Sequence, residues 1–274
     1  MNIDIGRNCN NRCLMCIYPK SIGPEPPIKN IKKLIDKNMD DKDFYITGGE
    51  PTLRRDLFEI VEYIHKVSPK SEIKLITNGR MMFYKKYVKK ITKSSIFKII
   101  TEIHGSETIH DRITQVKGSF RQTLNGIKNS LNYNINVEVR IILHKLNYKE
   151  IPKIFEIFEK EIPTINNVVI FPADITGNAK KKIDILSVKY NEMINIINII
   201  IEKYSDKFNI KIYHIPPCLF QEKQYKFLKN LSTNPKRITF TNKCEHCKLK
   251  YNCSGIWKTY IEEYGDDEFG KIQS

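Results

Sequence analysis

The chain opens on Asn2-Ile-Asp-Ile-Gly-Arg-Asn-Cys9-Asn-Asn-Arg-Cys13-Leu-Met-Cys16, a short strand-like run followed at once by three cysteines spaced Cys-x3-Cys-x2-Cys. Thiolates are soft, charged donors that suit iron-sulfur clusters, and the short spacings let one loop wrap three corners of a cube. Three ligands on a four-iron cluster leave one iron open, which is the coordination of a reaction centre; a structural metal closes its shell. The alternative, part of a zinc knuckle, lacks a fourth ligand close by.

Outward from this loop, apolar strand-like runs recur at residues 2–6, 43–47, 72–77, 96–103, 136–143 and 167–171, each followed by an amphipathic helix-like segment. Six such βα units predict an α/β fold, a partial (β6α6) TIM-type barrel with function at the carboxyl ends of its strands. Those ends deliver the cysteine loop, Gly48-Gly49-Glu50-Pro51, Thr77-Asn78-Gly79, Glu102-Ile-His104-Gly105 and Phe171-Pro-Ala-Asp-Ile-Thr-Gly177, with Arg140 inside the fifth strand. One mouth should collect them, and an open barrel leaves a lateral gap for a large substrate.

These motifs, with Ile109-His110-Asp111 and Gly118-Ser119-Phe120, stand in the order of the radical S-adenosylmethionine (radical SAM) enzymes over roughly residues 1–180, and the chain resembles that family. The resemblance implies a 4Fe-4S cluster on Cys9, Cys13 and Cys16, with the amino and carboxylate groups of SAM on its open iron. An electron entering the sulfonium then splits a carbon-sulfur bond, and the resulting 5'-deoxyadenosyl radical abstracts hydrogen from the substrate. It further implies that Gly48 and Gly49 let the backbone approach the methionine moiety and that Glu50 meets its ammonium. Met15 would lie against the adenine, Thr77 and Asn78 at the ribose or carboxylate, and Arg140 on the SAM carboxylate. Peptide-modifying members often carry Ser-Leu-Asp-Gly and His-Asp-x-x-Arg in the fourth-strand segment. Here Thr114 holds the usual arginine position, so the carboxylate falls to Arg112 or Arg140, and Glu102 and His104 are candidates to face the substrate as acid or base.

Four further cysteines, Cys218, Cys244, Cys247 and Cys253, close the chain, and an odd total of seven suits metal ligation better than a disulfide framework. After a helix near 188–204 and a strand at 209–214, this block sets a predicted boundary between residues 1–205 and a cysteine-rich unit at 206–274. It resembles the shortened SPASM, or twitch, extension of radical SAM enzymes, which holds an auxiliary 4Fe-4S cluster. Zinc, with His246 nearby, is the alternative.

Lys and Arg number 46 against 31 Asp and Glu, a formal charge of +15. The lysines are scattered along helix faces and accompany many Ile and Asn, so nucleic acid is not the expected partner. No targeting segment or membrane span is evident, which predicts a cytoplasmic protein. The expected partners are an external electron donor such as ferredoxin or flavodoxin and a substrate. Peptide or protein modification leads, ahead of small-molecule dehydrogenation or cofactor biosynthesis, and of a non-catalytic zinc and nucleic-acid-binding module. With one residue before the first strand, a peptide is expected on a separate carrier or docked directly in the barrel gap.

Overall fold

A computed structural model describes residues 1–18, 25–229 and 236–270. Eight strands form one parallel sheet in chain order: β1 (Asn2–Asp4), β2 (Asp43–Thr47), β3 (Glu72–Ile76), β4 (Ile96–Glu102), β5 (Val137–Leu143), β6 (Asn167–Pro172), β7 (Asn209–Tyr213) and β8 (Leu228–Lys229). The edges β1 and β8 do not pair with each other, so the sheet is open. The helices are α1 (Ile28–Asp36), α2 (Leu57–Val67), α3 (Lys85–Thr92), α4 (Glu107–Thr114), α5 (Ser119–Asn132), α6 (Ile151–Glu161), α7 (Ile183–Leu186), α8 (Tyr190–Tyr204) and α9 (Lys258–Tyr264). None of the described helices is long and apolar enough to cross a membrane.

Periodicity explains the layers. In α2 the buried residues are Leu57, Ile60, Val61 and Ile64, and in α6 they are Ile151, Ile154, Phe155 and Phe158. Both sets repeat at i, i+3, i+4 and i+7, one apolar stripe per helix. The α2 stripe packs on Ile3, Phe44, Ile46, Ile73 and Leu75, while the α6 stripe packs on Val139, Ile141, Val168 and Ile170. Alternate residues point to the other face of the sheet, and several of them are charged. There Glu138 pairs with Arg140 at 2.9 Å and Lys98 at 3.6 Å, and Lys74 pairs with Asp43 and Glu72 at 2.9 Å each. A charged inner face survives only because its members are paired.

The sheet carries two strands beyond the six βα units expected. β7 pairs with β6 and β8 with β7, both after residue 205. A small antiparallel pair, β9 (Ile238–Thr239) and β10 (Ile256–Trp257), follows. Ile256, Trp257, Tyr260 and Phe269 join the same core as β5 to β7 and α8. Residues on both sides of position 205 thus contribute to this sheet and core. Polar links fasten the block to the end of β6: Trp257 Nε1 donates to the Pro172 carbonyl at 3.3 Å, and Asp174 pairs with Arg237 and accepts from Thr259 Oγ1 at 3.2 Å.

Candidate active site

The cysteine loop leaves β1 and is gripped by three strand ends and one helix end. From β2, the Gly49 N–H donates to the Gly6 carbonyl at 2.8 Å and the Glu50 N–H to the Asn8 carbonyl at 2.7 Å. A Cβ on Gly48 (φ +145°) would lie 2.6 Å from the Gly6 oxygen, and one on Gly49 would lie 2.5 Å from the Arg7 oxygen. Both glycines thus permit one loop backbone to lie on another. The close approach expected toward a ligand is found here against the cysteine loop itself.

Glu50, expected at the SAM ammonium, is buried at 3% exposure and already carries four hydrogen bonds. Its Oε1 accepts from the Thr52 N–H (3.0 Å), Thr52 Oγ1 (2.5 Å) and Thr77 Oγ1 (2.6 Å), and its Oε2 accepts from the Asn78 N–H (2.7 Å). Burial pushes its carboxyl up, and these donors oppose the shift. A carboxylate offers about four lone-pair sites, two on each oxygen, so the remaining capacity lies on Oε2. Thr77 is thereby committed to Glu50.

From β3, Asn78 Nδ2 donates to Asn10 Oδ1 at 2.6 Å, and Arg80 donates from Nη1 to the Asn10 carbonyl and to Asn11 Oδ1 (2.8 Å). The Asn11 N–H in turn donates to Cys9 Sγ at 3.3 Å. Arg80 was not singled out from the sequence. Its position directly after Thr77-Asn78-Gly79 was the available signal.

The C-terminal turn of α4 accepts from the loop, Arg12 N–H to the Thr114 carbonyl and Leu14 N–H to the Ile113 carbonyl, at 2.9 Å each. Thr114 is fully buried, with Oγ1 2.6 Å from Ser119 Oγ, so the missing arginine position serves loop support here. Asp111 caps α5 by accepting from the Phe120 N–H (2.8 Å) and Ser119 Oγ (2.9 Å). From the end of β6, Asn178 Nδ2 donates to the Tyr18 carbonyl at 2.5 Å, and Gly177 (φ +57°) lies against Ile17. Met15 is buried with Leu14, Ile113 and Ile175 in a small apolar cluster on this side.

None of Cys9, Cys13 and Cys16 is tied up in a disulfide. Burial pushes the Cys13 thiol well up, and the charges of Glu102, Cys9 and Cys16 add to the effect. Cys9 is also pushed up by burial, partly offset by the Asn11 N–H. Three thiolates so placed repel one another and are favoured only with a bound cation among them. The donor set fits an iron-sulfur cluster with an open position.

At the end of β4, Glu102 sits beside Arg140 in register and its side chain is 29% exposed. Burial raises its pKa to about 7, with Arg140 opposing and Glu50 reinforcing the shift. His104, expected to face the substrate, is instead inside the protein at 2% exposure, its Nε2 3.5 Å from Glu102 Oε2 and its ring 5.1 Å from that of His110. Burial pulls His104 down as well, so it stands as a neutral imidazole behind Glu102. Arg140 is engaged by Glu138 at 2.9 Å, and Arg112 is solvent-exposed on α4.

The four rear cysteines are free, and all four line one pocket with Pro217, Phe240, Lys250 and Ile256. Burial pushes Cys253 up to about 11, and the Cys218, Cys244 and Cys247 charges add to it. Among the described residues, no three His, Cys, Asp or Glu side chains gather closely enough to hold a single metal ion. Four thiolates can hold either a tetrahedral zinc or an iron-sulfur cluster.

Comparison with known proteins agrees with this geometry. GTP 3',8-cyclase of Campylobacter lari is 26% identical over 262 residues, covering 91% of this chain and 76% of that protein. Fe-coproporphyrin III synthase of Methanosarcina barkeri is 25% identical over 240 residues, 84% of this chain, and the match spans 58% of the synthase's length. Among solved structures, anSMEcpe with bound AdoMet and the Kp18Cys peptide superposes with a TM-score of 0.68 at 13% identity, covering 98% of this chain and 91% of that one. Streptococcus suis SuiB bound to its precursor peptide SuiA gives 0.63 at 14% identity, covering 77% and 48%. The Radical SAM superfamily profile matches residues 3–158, more than half of the sequence, and the chain belongs to the radical SAM superfamily.

Proposed function

We propose that this chain is an enzyme that modifies a peptide or protein by hydrogen abstraction, with a 4Fe-4S cluster held by Cys9, Cys13 and Cys16 and an auxiliary 4Fe-4S cluster held by Cys218, Cys244, Cys247 and Cys253. The observation that carries it is the convergence of the three-cysteine loop and the β2, β3, β4 and β6 ends on one mouth of an open sheet. The rear cavity that all four remaining cysteines share adds the second group. On this reading residues 206–274 form the auxiliary-cluster unit.

When bound, the front cluster and SAM supply the 5'-deoxyadenosyl radical; the protein binds, orients and manages protons. Glu50 offers its remaining Oε2 capacity to the SAM ammonium while fixing the Thr77-Asn78 turn. Glu102, largely buried at the mouth with a pKa of about 7, takes the proton that the substrate loses when it is oxidised. His104 positions Glu102 from behind. An external electron carrier of the ferredoxin or flavodoxin class would supply the reducing electron, and Cys218, Cys244, Cys247 and Cys253 would hold a group able to accept the electron that the oxidised substrate gives up.

A peptide reading is supported by the open edge between β1 and β8 and by the full-length superposition on a peptide-bound structure. A small-molecule reading is supported by the charged inner face of Lys98, Glu138 and Arg140 and by the two curated relatives. Peptides encoded beside the gene, deuterated at candidate carbons and incubated with SAM and reductant, should pass deuterium into 5'-deoxyadenosine and lose about two hydrogens in mass. Transfer from a labelled small alcohol with formation of a carbonyl, and from no peptide, would replace the first reading with the second.

A further inference from the structure

Arg80 differs from several other partly buried basic side chains around the barrel. Arg54 pairs with Asp56, Arg140 with Glu138, Arg237 with Asp174 and Lys74 with Asp43. Among the described residues Arg80 meets only neutral acceptors: Nε donates to Gln122 Oε1 at 2.6 Å, and Nη1 to the Asn10 carbonyl and Asn11 Oδ1. A partly buried guanidinium without a carboxylate is costly unless an anion completes its surroundings.

Its placement says where that anion sits. Asn10 and Asn11 lie between the first two loop cysteines, and the Asn11 N–H donates to Cys9 Sγ at 3.3 Å. Asn78, two residues before Arg80, donates to Asn10 Oδ1 and so holds the same segment. Arg80 is thus one side chain removed from a ligand sulfur and fixes the segment that presents it. Net charge and hydrogen bonds to sulfur are among the levers that set an iron-sulfur potential.

We propose that Arg80 is the positioning residue that keeps the front cluster reducible, its unneutralised charge offsetting the negative charge that the three-thiolate cluster gains on reduction. One electron from an external reductant takes the core from 2+ to 1+, and Arg80 stays protonated throughout, so no bond or proton changes place. The proposal rests on the front loop holding that cluster, which iron content reads separately.

The test uses the full chain, reconstituted anaerobically, as wild type, Arg80→Gln, Arg80→Lys and Gln122→Ala. The front cluster is identified as the EPR signal absent from Cys9→Ala, and it is titrated without SAM. Arg80→Gln should load iron and shift to lower potential, with a reduction equilibrium about tenfold less favourable, about 59 mV for one electron. Arg80→Lys keeps the charge and Gln122→Ala removes only a neutral contact, so both should titrate as wild type. Arg80→Gln titrating as wild type would overturn the proposal. Lost SAM binding at an unchanged SAM-free potential would also overturn it, assigning the guanidinium to the SAM carboxylate. If Arg80→Gln fails to load, Arg80→Lys decides: a wild-type midpoint supports the proposal, and failure to load or a shifted midpoint sinks it. Wild type without front-site iron would instead refute the cluster itself.

Discussion

The Asn78 N–H donates to Glu50 Oε2 at 2.7 Å, and through this bond the loop after β2 and the loop after β3 share one buried carboxylate. Glu50 has only acceptors to offer, and the four groups around it are all donors. Glu50→Gln places an amide N–H against one of them. The expected cost is about 1–3 kcal/mol, read as a fall of several degrees in Tm, with weaker SAM binding in equilibrium dialysis. An unchanged Tm would mean that the carboxylate does not hold the two loops together.

Gly177 gives a second test of how the cysteine loop is held. It combines φ +57° with a backbone contact in which an added Cβ would run into the Ile17 carbonyl. Gly118, left-handed at φ +81°, has nothing within 4 Å of its Cβ position. Gly118→Ala should therefore cost about 1 kcal/mol, the conformational part alone. Gly177→Ala should cost more, about 2 kcal/mol or above, and should lower iron retention against a chelator. Equal effects of the two substitutions would remove β6 from the account of loop support.

Metal content separates the two cysteine groups. Two 4Fe-4S clusters correspond to about eight irons per chain after anaerobic reconstitution, and Cys244→Ala with Cys247→Ala should leave about four. That variant should still cleave SAM to 5'-deoxyadenosine while losing product. Replacing Cys9, Cys13 and Cys16 together should abolish cleavage. Four irons and one zinc in the wild type would keep the front site and replace the rear cluster by a structural metal.

Glu102 makes stability depend on pH with a definite sign. Its folded pKa is raised by burial to about 7, above that of an exposed glutamate, so the folded state prefers the protonated form. Its contribution is fully present below about pH 4 and is lost as pH rises through 7, by up to about 3 kcal/mol. Glu102→Gln removes that loss. The variant should therefore match wild type in Tm near pH 4 and exceed it at pH 8, with turnover reduced. A Tm difference that is flat across this range would show that Glu102 titrates normally.

Much of this was written locally in the chain. The Cys9-Cys13-Cys16 spacing, the strand runs and the i, i+3, i+4, i+7 stripes of α2 and α6 depend on neighbours along the backbone, and so does the order in which motifs reach the mouth of a parallel sheet. The sequence by itself therefore determined the α/β architecture and the place of the reaction centre. What only the tertiary structure decided concerns partners far apart in the chain. Glu50 is committed to Thr77 and Asn78, Arg140 to Glu138, His104 is turned inward, and Arg80 faces the cysteine loop with no carboxylate partner among the described residues. The sheet also runs on through β7 and β8 into the cysteine-rich block. Spacing fixes which face a side chain takes, but what it meets there depends on strand register and burial, and those are set only when distant segments pack together.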